Sequence, residues 1–121
     1  MPEAPRERPE NYTLIHSFAG HVKARPTAVF DAIVRRLDPG PAARSKFSAD
    51  PRGYLIIAQG SWWYRGEYRV VPDDHGSQIE HSILNIAQKA HRLGTRSGRK
   101  VIAAAPAEFE KLLRQLRLEL E

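Results

Sequence analysis

The chain has no cysteine, a single methionine and no long apolar run. Without cysteine there can be no disulfide, thiolate metal site or thiol nucleophile, so stability has to come from packing and hydrogen bonding. No stretch approaches the ~20 apolar residues that a bilayer-crossing helix needs, and the opening MPEAPRERPEN lacks the apolar core of a secretion signal. These absences predict a cytoplasmic protein that does not insert into a membrane. Internal repeats are missing, which excludes solenoids and propellers. Neither G-x-x-x-x-G-K nor G-x-S-x-G occurs, so no phosphate-cradling loop or nucleophile elbow can be named. His16, His21, His75, His81 and His91 show none of the paired spacings of zinc motifs. The expectation is therefore no metal, no cofactor and no recognisable catalytic residue.

What is present is a globular balance over 121 residues, 41% hydrophobic and 27% charged, enough for one core and too short for two. The net charge is +5, with the basic residues scattered except for the run Lys89, His91, Arg92, Arg96, Arg99, Lys100. A solvated loop or helix face is the plain reading of that run; phosphate contact, and with it RNA or another interaction partner, is the alternative. Residues 1–11 carry three prolines and alternating charges without apolar periodicity, which predicts a flexible leader outside the core. The folded domain is then 12–121.

Between Tyr12 and Ala24, Leu14, His16, Phe18, Gly20 and Val22 alternate onto one face of a long strand. Val29, Phe30, Ile33, Val34 and Leu37 follow at helical spacing, with Pro26 suited to the first turn, an Asp31–Arg35 pair four apart, and Asp38-Pro39-Gly40-Pro41 unable to continue the helix. Residues 41–53 read as a loop with a short turn or strand near Phe47. In the centre, Gly60-Ser61 between YLIIAQ and WWYRGEYRVV predicts a two-residue hairpin turn that would set Gln59 opposite Trp62 and Ile57 opposite Tyr64. Trp62, Tyr64, Tyr68 and Val70 then share a covered face, with Arg65, Glu67 and Arg69 on the wet one. A turn at Pro72–Ser77 brings Tyr68 to His81 and Tyr64 to Asn85, beside Ile79 and Ile83. Beyond Ala87 lies a basic linker. Phe109, Leu112, Leu113, Leu116 and Leu120 then mark an amphipathic helix starting near Pro106 or, with a kink there, near Gly98.

Three segments carry a family resemblance: HVKARPTAVFDAIV at 21–34, GSWWYRGEYRVVPDDHGSQIEHSILNIA at 60–87 and APAEFEKLLRQLRLEL at 105–120. In this order, over residues 12–121, the chain resembles the START-like helix-grip superfamily, also called SRPBCC, of polyketide cyclase-like and Bet v 1-type proteins, with fewer legible strands than that family's sheet holds. The resemblance implies an α+β fold in which a curved antiparallel sheet grips a long C-terminal helix. It also implies a space between them that holds a small apolar or aromatic molecule, such as a lipid or polyketide.

The expected lining is His16, Phe18, Phe30, Ile57, Trp62, Tyr64, Tyr68, His81, Ile83, Asn85, Phe109 and Leu113. His16 and His81 are the polar groups that could orient a ligand or, in a cyclase- or dehydratase-type enzyme, move its protons. The same histidines and aromatics could equally be satisfied core side chains. Glu67 and Glu80 fall on the outer face, where charge is ordinary. A homodimer would use sheet edges or surplus leucines of the last helix.

Overall fold

A computed structural model describes residues 3–121 and has α+β architecture. Its elements are β1 (Thr13–Val22), α1 (Pro26–Leu37), β2 (Lys46–Asp50), β3 (Leu55–Gly60), β4 (Tyr64–Asp73), β5 (Gly76–Asn85), α2 (His91–Ser97) and α3 (Arg99–Leu120). The five strands form one open antiparallel sheet in the order β1-β5-β4-β3-β2. Strands β2 to β5 are a meander, and α1 carries the chain from β1 at one edge to β2 at the other. No helix among the described residues is long and apolar enough to cross a membrane.

Pro26 opens α1, where a missing N–H costs nothing, and the stripe Val29, Phe30, Ile33 turns onto the sheet. Arg35 pairs with Glu119 of α3 at 2.5 Å rather than with Asp31, and Arg36 reaches the same carboxylate at 2.7 Å. One acid thus clips the two helices together. The core is Val22, Val29, Phe30, Ile33, Phe47, Ile56, Val70, Ile79, Phe109, Leu113 and Leu116. Full burial of each large apolar side chain stabilises by roughly 1.5–3 kcal/mol. α3 packs chiefly along β1 and against α1. Gly20 of β1 permits the close approach, because a β-carbon there would collide with the Leu113 side chain.

The turn at Asp74–His75 sets Tyr68 opposite His81 and Tyr64 opposite Asn85, as the sequence predicts, although the strands run further than expected, to an Asp73–Gly76 pair. Four features differ from expectation. The β3–β4 turn spans three residues, Ser61-Trp62-Trp63, so Gly60 faces Tyr64 and Ile57 faces Glu67. Ile57 therefore lies on the outer face. The three-residue turn goes with the second tryptophan: Trp63 is buried while Trp62 stands half exposed at the tip, so it is the second indole and not the first that points into the core. A bulge at Ile15 shifts the β1–β5 register, placing Leu14 opposite Leu84 and off the inner face that His16, Phe18, Gly20 and Val22 share. The segment near Phe47 is a strand, one of the two forms expected there, but the basic stretch after Ala87, expected as a linker, holds the helix α2. Finally, residues 3–11, expected to stay clear of the packed body, lie across the outer face of the sheet.

That last contact has a polar centre. Arg65 of β4 is completely buried. It donates to Pro5 O at 2.7 Å, Gln59 Oε1 and Arg6 O at 2.8 Å, and Glu67 Oε2 at 2.8 Å. Arg8 binds Glu67 from above at 2.7 Å. Burial alone would raise the Glu67 carboxyl, but the two guanidiniums hold it below its ordinary value. Ala4, Leu55 and Ile57 form a small apolar cluster beside this network.

Candidate functional site

On the inner face the aromatic residues of β1, β4, β5 and α3 form one continuous stack. Tyr68 lies flat on His81 with ring centroids 3.9 Å apart and planes 7° from parallel. Phe18 and Phe109 close on His81 at 5.9 and 5.7 Å and on each other at 5.4 Å, and His16 stacks on Phe18 at 5.1 Å. The sequence alternation brings these residues together because a two-residue period puts them on one side of adjacent strands. It does not leave a hollow between them.

The polar members of the stack already have partners. His81 Nδ1–H donates to Glu67 O at 3.0 Å. Burial pushes its pKa down from 6.5 to about 4, so the ring is neutral at neutral pH and a poor acid or base there. His16 Nε2–H donates to Ile102 O at 3.0 Å. Pro106 sits four residues after Ile102 inside α3 and has no N–H to give that carbonyl. His16 supplies the missing hydrogen bond. Asn85 is fully buried; its Nδ2 donates to His91 O at 2.6 Å and Thr95 Oγ1 at 3.0 Å, and its Oδ1 accepts from Ala87 N at 3.0 Å. It organises α2.

The other expected lining residues divide in the same way. Phe30, Ile83, Phe109 and Leu113 are buried, Phe30 edge-on to Tyr54. Ile57 belongs to the opposite face, and Trp62 lies at the turn in contact with solvent. The alternation places the inward set correctly; it misplaces Ile57 and Trp62 because the turn is one residue longer than Gly-Ser suggests.

Open space lies at the two tyrosines. Tyr68 is the floor of a cleft of about 440 Å³ between the end of α1 and α3, walled by Leu37 and Leu112 with Arg36, Glu108, Lys111 and Gln115 at the rim. Tyr64 lines a second hollow of about 410 Å³ with Gly60, Trp63, Gly98 and Val101. Ala58, Gly60 and Gly66 alternate along this part of the inner face, and a β-carbon at Gly60 would meet nothing within 4 Å. α3 follows β1 and leaves Gly60 uncovered at the end of β3, whereas Gly66 is buried beneath the Tyr64 ring, whose hydroxyl a β-carbon there would strike. The Tyr64 and Tyr68 hydroxyls are hydrogen-bonded, and burial raises the pKa of both, so each stays a neutral donor and acceptor. Tyr68 and Tyr64 thus each border a separate open hollow, with Gly60 bare beside the second. Gly60 was the signal missed in the sequence: a glycine at the end of β3, beside the turn, marks where this face of the sheet is left bare.

Among the described residues no cluster of histidine, aspartate and glutamate is placed to hold a metal ion. No family model, curated protein or solved structure matches this chain.

Proposed function

We propose that the open hollows at Tyr64 and Tyr68 bind a small apolar or aromatic molecule without transforming it. The observation that carries the reading is a pair of neutral, hydrogen-bonded tyrosines, each lining an open hollow, with Gly60 leaving free space beside Tyr64. The Tyr64 hollow has mostly apolar walls and the Tyr68 cleft mixes apolar walls with a polar rim; concave sites of this size with a placed hydroxyl suit planar or acyl ligands bearing one polar group. Arg36 is already paired with Glu119, and Glu108 shares the rim with Lys111, so the rim sets no charge preference for the ligand. The deeper Phe18–His81–Phe109 stack is packed ring on ring, which supports taking the ligand to lie above the tyrosines rather than below them.

The order of elements supports reading the fold as a small START-like helix-grip. Two features distinguish it: a sheet of five strands, and a final helix that follows β1 instead of crossing the sheet centre. Both make the proposed site shallow and open rather than enclosed.

Displacement of a fluorescent fatty acid, with native mass spectrometry of gently purified protein, tests the reading. Gly60→Leu projects into open space, so it should weaken probe binding at least about tenfold while leaving the melting temperature nearly unchanged, since filling a site costs a ligand and not the fold. No probe uptake by the unaltered protein, or uptake indifferent to both Gly60→Leu and Leu112→Arg, would remove the proposal.

A further inference from the structure

At the end of the molecule formed by the β3–β4 turn, α2 and the start of α3, three large apolar side chains stand in solvent: Trp62 at 49% exposure, Leu93 at 51% and Val101 at 51%. They are held there by buried neighbours. The indole of Trp63 fills the space against Gly98, where a β-carbon would strike its ring, and Gly94 packs on Trp63 and Asn85. The turn and the α2–α3 junction are thereby locked together, and Trp62, next to the anchored Trp63, is forced outward.

The surroundings are basic. Trp62 lies between Arg44 and Lys46 on one side and Arg96, Arg99 and Lys100 on the other. Residues 88–107 contain no aspartate or glutamate. Among the described residues none of these five cations is engaged in an ion pair, whereas Arg6, Arg8, Arg35, Arg36 and Arg65 each are.

We infer that this end of the molecule docks on an anionic phospholipid surface, with Trp62, Leu93 and Val101 entering the headgroup region and the surrounding arginines and lysines meeting lipid phosphates and carboxylates. A tryptophan flanked by aliphatic side chains and ringed by cations is the chemistry of an interfacial membrane contact. Single-stranded nucleic acid would use the cations and one indole for stacking, but gives Leu93 and Val101 nothing to do. A second copy of the chain would bring like charges together. The docking surface does not depend on the tyrosine hollows having a ligand.

Flotation of the full chain with vesicles of phosphatidylcholine alone, or with about three parts in ten phosphatidylserine, tests the inference. Binding is expected to the anionic vesicles only, with a blue shift of tryptophan emission that Trp62→Ser abolishes. Arg96→Glu with Lys100→Glu should lower partitioning more than about tenfold, and Trp62→Ser with Leu93→Ser should lower it comparably. All these side chains are exposed, so circular dichroism should show an unchanged fold. Absence of flotation on anionic vesicles at low salt would overturn the inference. So would loss of binding through the charge variant with none through Trp62→Ser/Leu93→Ser, or quenching of Trp62 by oligouridylate without any vesicle binding.

Discussion

A helical carbonyl deprived of its N–H partner has to be satisfied elsewhere, and at Ile102 the donor is His16, from a strand 86 residues earlier in the chain. The two residues are coupled through Pro106. His16→Ala should cost about 1–3 kcal/mol by leaving the carbonyl unpaired. In a Pro106→Ala background the restored N–H should cut that cost, giving a coupling of about 1 kcal/mol in a urea-unfolding double-mutant cycle; equal costs in both backgrounds would refute the assignment. His81 gives a pH dependence with a definite sign. Its folded pKa lies near 4, below the ordinary 6.5, so the unfolded chain binds the proton first. Its contribution is whole above pH 6.5 and is lost as pH falls toward 4. The loss should amount to roughly 3 kcal/mol, and His81→Phe should flatten the stability curve in that window; parallel curves for the two proteins would contradict it. That these histidines face inward was legible from strand alternation. Their partners were not, because a carbonyl on a distant helix leaves no trace in the spacing around a histidine.

Among the elements, α1, α3 and the β4–β5 hairpin follow from local pattern, and the β3–β4 hairpin, the N-terminal segment and α2, which lies in the stretch read as a basic linker, do not. Glycine-serine between two β-rich runs specifies a short turn on local grounds. The turn that forms is one residue longer and goes with the burial of Trp63. The N-terminal segment has no apolar period, yet its backbone carbonyls at Pro5 and Arg6 receive the buried Arg65 guanidinium. Removing residues 1–9 would strip those acceptors and uncover Leu55 and Ile57. The expected result is destabilisation of about 1–3 kcal/mol, read as a lower urea midpoint and faster amide exchange in β3 and β4. An unchanged midpoint would show that the segment adds nothing to the fold. α2 has a comparable dependence on one side chain: Asn85→Ala should lose about 2–4 kcal/mol in thermal unfolding, because the buried Ala87 N–H and the half-buried His91 carbonyl then lack their partner and the side chain leaves a cavity.

In the molecule as a whole the longest-range pairing is the one that completes the sheet. β1 must wait for β5, Thr13 meeting Asn85, before α3 has a surface on which to bury Phe109, Leu113 and Leu116. With so many contacts between distant residues, refolding should take milliseconds to seconds. Stopped-flow tryptophan fluorescence measures it, and submillisecond recovery would mean that α3 docks before β1 is in place. The amino-acid order alone settled what depends on near neighbours: an α+β chain, the stripe of α1, the register of β4 on β5, and the leucine face of α3. Each is a periodicity of two or of three and four residues, readable because side-chain direction repeats along a strand or helix. Which tryptophan is buried, where β1 bulges, which inward polar groups are structural, and which part of the sheet stays bare were settled in three dimensions. Each depends on how elements remote in the chain fill or satisfy one another, and close packing assigns those places only once the whole core has formed.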